Sequence, residues 1–181
     1  MTQEIFKEIK EELNEAISGQ KHPFRFCTLG TVGLENIARL RTVVLRNVDT
    51  NLQLTFYTDT RSKKIVHIKE NKKVSLLFYH PEKLIQIRIE GLATIVKDRM
   101  ILEKNWKDVG SANRKDYKTK TAPGSGISDP SQIEYLEDSH YFCMVAVEPF
   151  KIEYLKLQQP HHLRVRFSKE NAAWDSEFLV P

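Results

Sequence analysis

The chain has 181 residues, of which 40% are hydrophobic and 29% charged, and its net charge is +4. This is the size of one ordinary domain with a normal globular composition, which excludes a disordered chain and argues against a wholesale polyanion binder. No apolar run approaches a membrane span, and the N-terminus MTQEIFKEIKEELNEA lacks the apolar core of a signal peptide, so a cytoplasmic protein is expected.

In chain order, residues 3–18 read as an amphipathic helix. Ile5, Phe6, Ile9, Leu13 and Ile17 share one face, and Gly19 is the stop. Strand patterns follow over 24–32, 35–48 and 52–59, with turns at Gly30–Gly33 and Asp49–Asn51. Arg61 to Asn71 reads as a short helix with Thr60 or Ser62 as N-cap. Strands at 72–80 and 84–96 are separated by Pro81-Glu82. A second amphipathic helix is expected over 98–109, carrying Met100, Ile101, Leu102 and Trp106.

Residues 110–130, with PGSGISDP, form a loop long enough to suggest a function such as a lid. A short helix is expected around Ser131 to Glu137. YFCMVAVEPFKIEYLKL and the segment from Leu163 onward supply two or three last strands, with a hairpin turn at Lys169 to Asn171. The pattern has no repeat or linker and predicts one domain over 1–181, a mostly β barrel or sandwich with helical decoration.

The two cysteines, Cys27 and Cys143, lie in apolar strands and read as buried, reduced thiols. The six histidines show no metal-ligand spacing, so no metal site is expected. His161-His162 reads as an exposed turn, and Trp106 and Trp174 as packing residues. Asp108, Lys115 and Asp116 read as solvated.

The chemistry concentrates in FYTDTRSKK, Phe56 to Lys64, where a strand delivers hydroxyls and cations to a helix start. Free amides and the helix dipole attract anions there. On the second strand, Arg39 and Arg41 share a face with Val43 and Leu45, while Arg46 ends the opposite face. Cations in so apolar a strand need partners, and a bound anion is one. Arginine adds a planar clamp suited to phosphate. On the fifth strand Ile85, Ile87 and Ile89 alternate with Gln86, Arg88 and Glu90, a buried face and a polar one.

Read in order, RTVVLR (Arg41–Arg46), Tyr57-Thr58, Ser62-Lys63-Lys64, Gln86 before Gly91, and Arg166-Phe167 followed by NAAWDSEFLVP resemble the pyridoxamine 5′-phosphate oxidase family and its FMN-binding split-barrel relatives. The resemblance covers the chain from about Phe24 onward. It implies a six-stranded Greek-key split β-barrel that forms a homodimer with FMN in the interface.

Carried over, Arg41, Ser62, Lys63 and Lys64 hold the FMN phosphate. Tyr57, Thr58 and the backbone of Val43, Val44 and Leu45 line the ring and ribityl chain. Gln86 bonds the isoalloxazine edge, and Arg166 from the second subunit faces the pyrimidine side, where a cation favours the reduced flavin. Arg46 completes the set, at the position of the family's substrate lysine.

Other positions depart from the family enzyme. Its C-terminal Arg-Leu-His aligns with His162-Leu163-Arg164, its FMN-contacting Trp aligns with Leu155, and its substrate-phosphate contacts find no match in 98–116. The expectation is therefore an FMN-dependent oxidoreductase with an altered substrate site and no identified catalytic side chain. A module that holds flavin or haem without turnover is the alternative. A nucleic-acid binder using Arg39, Arg41, Arg46, Lys63 and Lys64 is a third reading.

Overall fold

The computed structural model describes residues 1–19, 21–171 and 173–181. Its helices are α1 (Thr2–Ser18), α2 (Lys63–Glu70), α3 (Arg99–Asp108) and α4 (Ser111–Arg114). Its strands are β1 (Phe26–Val32), β2 (Ala38–Val48), β3 (Leu54–Asp59), β4 (Lys73–His80), β5 (Ile85–Ile95), β6 (Phe142–Lys156), β7 (Leu163–Glu170) and β8 (Ala173–Leu179).

The strands form one antiparallel sheet in the order β3-β2-β1-β4-β5-β6-β7-β8, and β3 also pairs with β6. Six strands thus close into a barrel, the closed split barrel expected from the resemblance. Closure depends on the length of β6. Its first half pairs with β3, Phe142 opposite Asp59 to Val147 opposite Leu54. Its second half carries β7, Lys151 opposite Ser168 to Lys156 opposite Leu163.

The change of partner falls at Pro149 and Phe150, where the β5–β6 register shifts between Glu90 and Gly91. Proline has no amide for the ladder and is tolerated at such a bulge. Gly91 is required by the close approach: a Cβ there would lie 2.7 Å from the Glu148 carbonyl and 2.7 Å from Val147.

Alternation builds the core. Ile85, Ile87 and Ile89 are fully buried, as their spacing predicts, and pack with Leu29, Leu76, Phe78, Val145, Ile152 and Val165. Helix α1 adds Ile5, Ile9 and Leu13 to the same cluster. Both cysteines are buried and free.

Several expected boundaries shift. Pro23–Arg25 is a 3-10 turn, so β1 starts at Phe26 while Phe24 is buried from the turn. The helix expected over Ser131–Glu137 is only a 3-10 turn at Pro130–Gln132, because Tyr135 bridges to Thr119 instead. The long loop contains α4 and a further 3-10 turn at Lys115–Tyr117. In α3, Met100 and Ile101 are exposed, and only Leu102 and Trp106 pack inward. Asp98 caps α3 through the amides of Met100 and Ile101, as a short acidic side chain does.

Candidate functional site

The opening cluster of cations divides when folded. Arg61 is a structural residue. It pairs with Asp59 at 2.7 Å, donates to the carbonyls of Thr119 and Lys120, and lies 3.4 Å over the Tyr141 ring. It thereby ties the long loop to the β3–α2 turn. Lys63 is exposed at the first turn of α2.

Lys64 turns inward and donates to the Thr58 hydroxyl at 2.9 Å. Thr58 and Ser62 are both buried, with their hydroxyls 3.2 Å apart. Ser62 occupies the N-cap position, yet its side chain makes no capping bond to the amides of α2. The Lys64 ammonium loses proton affinity, first from burial and then from the charge of Arg41. Two like charges are therefore neighbours in a partly buried place.

Arg41 projects from β2 on the Val43–Leu45 face. One nitrogen, Nη1, makes its contacts: to the Thr31 hydroxyl at 2.6 Å, the Arg39 carbonyl at 2.8 Å and the Leu29 carbonyl at 3.3 Å. Burial, and then Arg39, lower the proton affinity of the guanidinium. Among the described residues, neither Arg41 nor Lys64 joins an ion pair with a carboxylate. The other edge of the guanidinium is left for an acceptor from outside the chain. A dianion offers several oxygens to such a fork, to an ammonium and to free first-turn amides together.

The remaining expected residues are placed elsewhere. Val43 is in the core, and Val44, opposite Phe26, is half-buried on the outer face. Tyr57 belongs to a second cluster, with its hydroxyl donating to Asn105 at 2.7 Å and its ring 4.9 Å from Phe142. Arg46 lies 5.3 Å over that ring, and its Nε is buried without a partner. Trp106, Tyr117 and Met144 belong to the same cluster.

Gln86 is on the outer face of β5, between Tyr79 and Leu155. Beside it Glu153, buried, receives Arg88 at 2.9 Å and Arg164 at 2.7 Å. Arg166 pairs with Glu177 inside its own hairpin. Arg39 is paired with Glu35 at 2.6 Å, so the cations named for nucleic acid do not form one free surface.

Two groups escaped the sequence reading. Thr31 and His67 connect to Arg41, but 36 positions separate them from each other and no spacing signals the contact. Glu12, His22 and His80 meet under α1, with Lys83 on the carboxylate. Both rings accept a backbone amide at Nδ1, from Phe24 at 3.2 Å and Lys83 at 3.3 Å. A neutral ring so placed carries its proton on Nε2, and His22 Nε2 lies 3.3 Å from Glu12 Oε2, both buried and without a hydrogen-bond partner among the described residues.

Barrel and site together place two partly buried cations, Arg41 and Lys64, at the β2–α2 junction. The chain belongs to the pyridoxamine 5′-phosphate oxidase, FMN-binding domain family, whose sequence model matches residues 6–97. A pyridoxine/pyridoxamine 5′-phosphate oxidase of Psychrobacter sp. is 31% identical over 134 residues, which cover 74% of this chain and 58% of that protein. This chain thus spans little more than half of that relative. Pyridoxine/pyridoxamine 5′-phosphate oxidase 2 of Arabidopsis thaliana is 29% identical over 95% of this chain and 96% of its own length. A crystal structure of a pyridoxamine 5′-phosphate oxidase-related, FMN binding protein from Nostoc punctiforme superposes with a TM-score of 0.80. It is 25% identical and covers 97% of this chain and 96% of its own.

Proposed function

We propose that this chain is an FMN-binding flavoprotein that acts as an FMN-dependent oxidoreductase with a substrate site altered from that of pyridoxamine 5′-phosphate oxidase. The observation that carries the reading is the pair Arg41 and Lys64, two partly buried cations without a carboxylate at the start of a helix. FMN, when bound, supplies hydride and one-electron chemistry, and the protein supplies binding, orientation and electrostatics.

In this reading Arg41, Lys64, Lys63, Ser62 and Thr58 hold the phosphate. Gln86, the backbone of Val43 and Val44, and Tyr57 line the rest of the cofactor. Arg46 stands beside Tyr57 as a cation toward the substrate side. Arg166 serves the partner subunit's cofactor, where it exchanges Glu177 for the ligand.

A homodimer belongs to the same reading, as does a single domain over the whole chain. Phe26, Leu40, Leu77 and Tyr79 are exposed on the barrel face that carries Gln86. A contiguous apolar patch of this kind favours burial against a second copy. A cytoplasmic setting is supported by two free thiols in one chain.

The test is titration of the purified protein with FMN, followed by flavin absorbance and fluorescence quenching. The wild type is expected to bind. The double variant Arg41→Gln/Lys64→Met is expected to lose binding while keeping its circular dichroism and a cooperative melting transition. Normal binding by the double variant would refute the phosphate assignment. Tight FMN binding with no turnover of any reductant would favour the non-catalytic module.

A further inference from the structure

Arg41 and Lys64 repel each other, yet they come from different elements, β2 and α2, and among the described residues neither is ion-paired with a carboxylate. Something neutral has to hold the two elements in register. Thr31 of β1 is 1% exposed, and its hydroxyl lies 2.6 Å from Arg41 Nη1 and 3.0 Å from His67 Nδ1. His67 is on α2, three residues after Lys64.

The Arg41 end of this chain of bonds has a direction set by chemistry. A guanidinium only donates, so Thr31 accepts from Arg41. The hydroxyl keeps one hydrogen and a second lone pair, so it bonds His67 Nδ1 in either tautomer of the neutral ring. A second contact reinforces the first, as the Leu34 amide donates to Glu70 of α2 at 3.0 Å. Gly33 permits this approach: a Cβ there would lie 2.5 Å from the Glu70 carboxylate and 2.9 Å from the His67 ring.

We propose that Thr31 and His67 are positioning residues, a strut that holds the Arg41–Lys64 seat in its anion-binding geometry before any ligand arrives. The proposal rests on the reading of that seat as a phosphate site. A preorganised seat spends no binding energy on ordering two mutually repelling cations. The strut therefore strengthens recognition of the phosphate end of the ligand and leaves recognition of the ring untouched. Its signature is selectivity for FMN over riboflavin, which lacks the phosphate.

The experiment compares dissociation constants for FMN and riboflavin in the wild type, Thr31→Val, Thr31→Ser and His67→Phe. Thr31→Val and His67→Phe are expected to lower FMN affinity about tenfold, the scale of one hydrogen bond to a charged group, with riboflavin affinity within about twofold. Thr31→Ser keeps the hydroxyl and is expected to retain the selectivity. Equal losses for both ligands would assign Thr31 a merely structural role and overturn the proposal.

Nitrogen-resolved NMR of the His67 ring in the ligand-free protein gives a readout independent of flavin. A hydrogen-bonded Nδ1 whose shift changes in Thr31→Val is expected, and an Nδ1 shift indifferent to Thr31→Val would overturn the strut. A wild type that cannot tell FMN from riboflavin would instead sink the phosphate seat, and the proposal with it, even with the Thr31–His67 bond present.

Discussion

Lys64 and Arg41 are electrostatic neighbours that bond to hydroxyls and carbonyls instead of to carboxylates. Folding by itself gains nothing from bringing them together, so the arrangement trades stability for the ability to bind an anion.

The first prediction is a pH dependence. Folded Lys64 holds its proton less tightly than unfolded lysine, whose ordinary value is 10.5. The unfolded state therefore binds more protons, and the stability of the ligand-free protein rises with pH from the depressed folded value up to 10.5. Lys64→Met removes this slope. It is expected to raise the ligand-free melting temperature by about 1–3 °C at neutral pH while FMN affinity falls at least about tenfold. Calorimetry with and without FMN checks both halves.

A second prediction concerns the tether of the long loop. Asp59 is 4% exposed and depends on Arg61, which also holds Thr119 and Lys120. Arg61→Ala strands a buried carboxylate and releases the loop. A loss of about 2 kcal/mol is expected, below the full value for a buried pair because Arg61 is partly solvated. Hydrogen exchange should quicken over 117–121 while β5 is unchanged.

The bulge at Gly91 makes a third. Gly91→Ala drives a methyl group into the Glu148 carbonyl and Val147, and backbone cannot swing aside as a flexible side chain does. A cost of about 2–3 kcal/mol is expected from overpacking, read as a lower denaturant midpoint.

The cluster under α1 gives a fourth. Glu12 is buried and receives Lys83, with His22 at 3.3 Å. Glu12→Gln removes the charge that Lys83 meets there. Because Lys83 is largely solvated, a loss of about 1–2 kcal/mol is expected, with faster hydrogen exchange in α1.

The thiols supply a fifth. Burial pushes Cys27 up to about 12 and Cys143 up to about 11. Thiolate is the reactive form, so alkylation of the native protein at pH 8 should be very slow and become fast on unfolding. Rapid labelling of either cysteine in the native state would contradict this burial.

The strands were legible because their code is local. Alternation at Ile85, Ile87 and Ile89 sets a buried face without knowledge of any neighbour. The same holds for α1, whose apolar stripe packs on the core. The helix expected over 131–137 failed because Tyr135 found Thr119, a partner 16 positions away that outweighs local propensity. Met100 and Ile101 misled for a similar reason: period marks an apolar face, but only tertiary packing decides whether anything covers it.

At the site, sequence determined which residues carry charge and where a helix would begin. Together with the family resemblance, this offered Arg41, Ser62, Lys63 and Lys64 as candidates for one anion. It left Arg61 out of that set but could not say what Arg61 does, which the fold decides through Asp59 and two loop carbonyls. Only the tertiary structure brought Thr31 of β1 and His67 of α2 onto Arg41 of β2. Barrel closure decides such contacts, because hydrogen bonds between distant segments depend on strand register and helix docking, which no local pattern encodes.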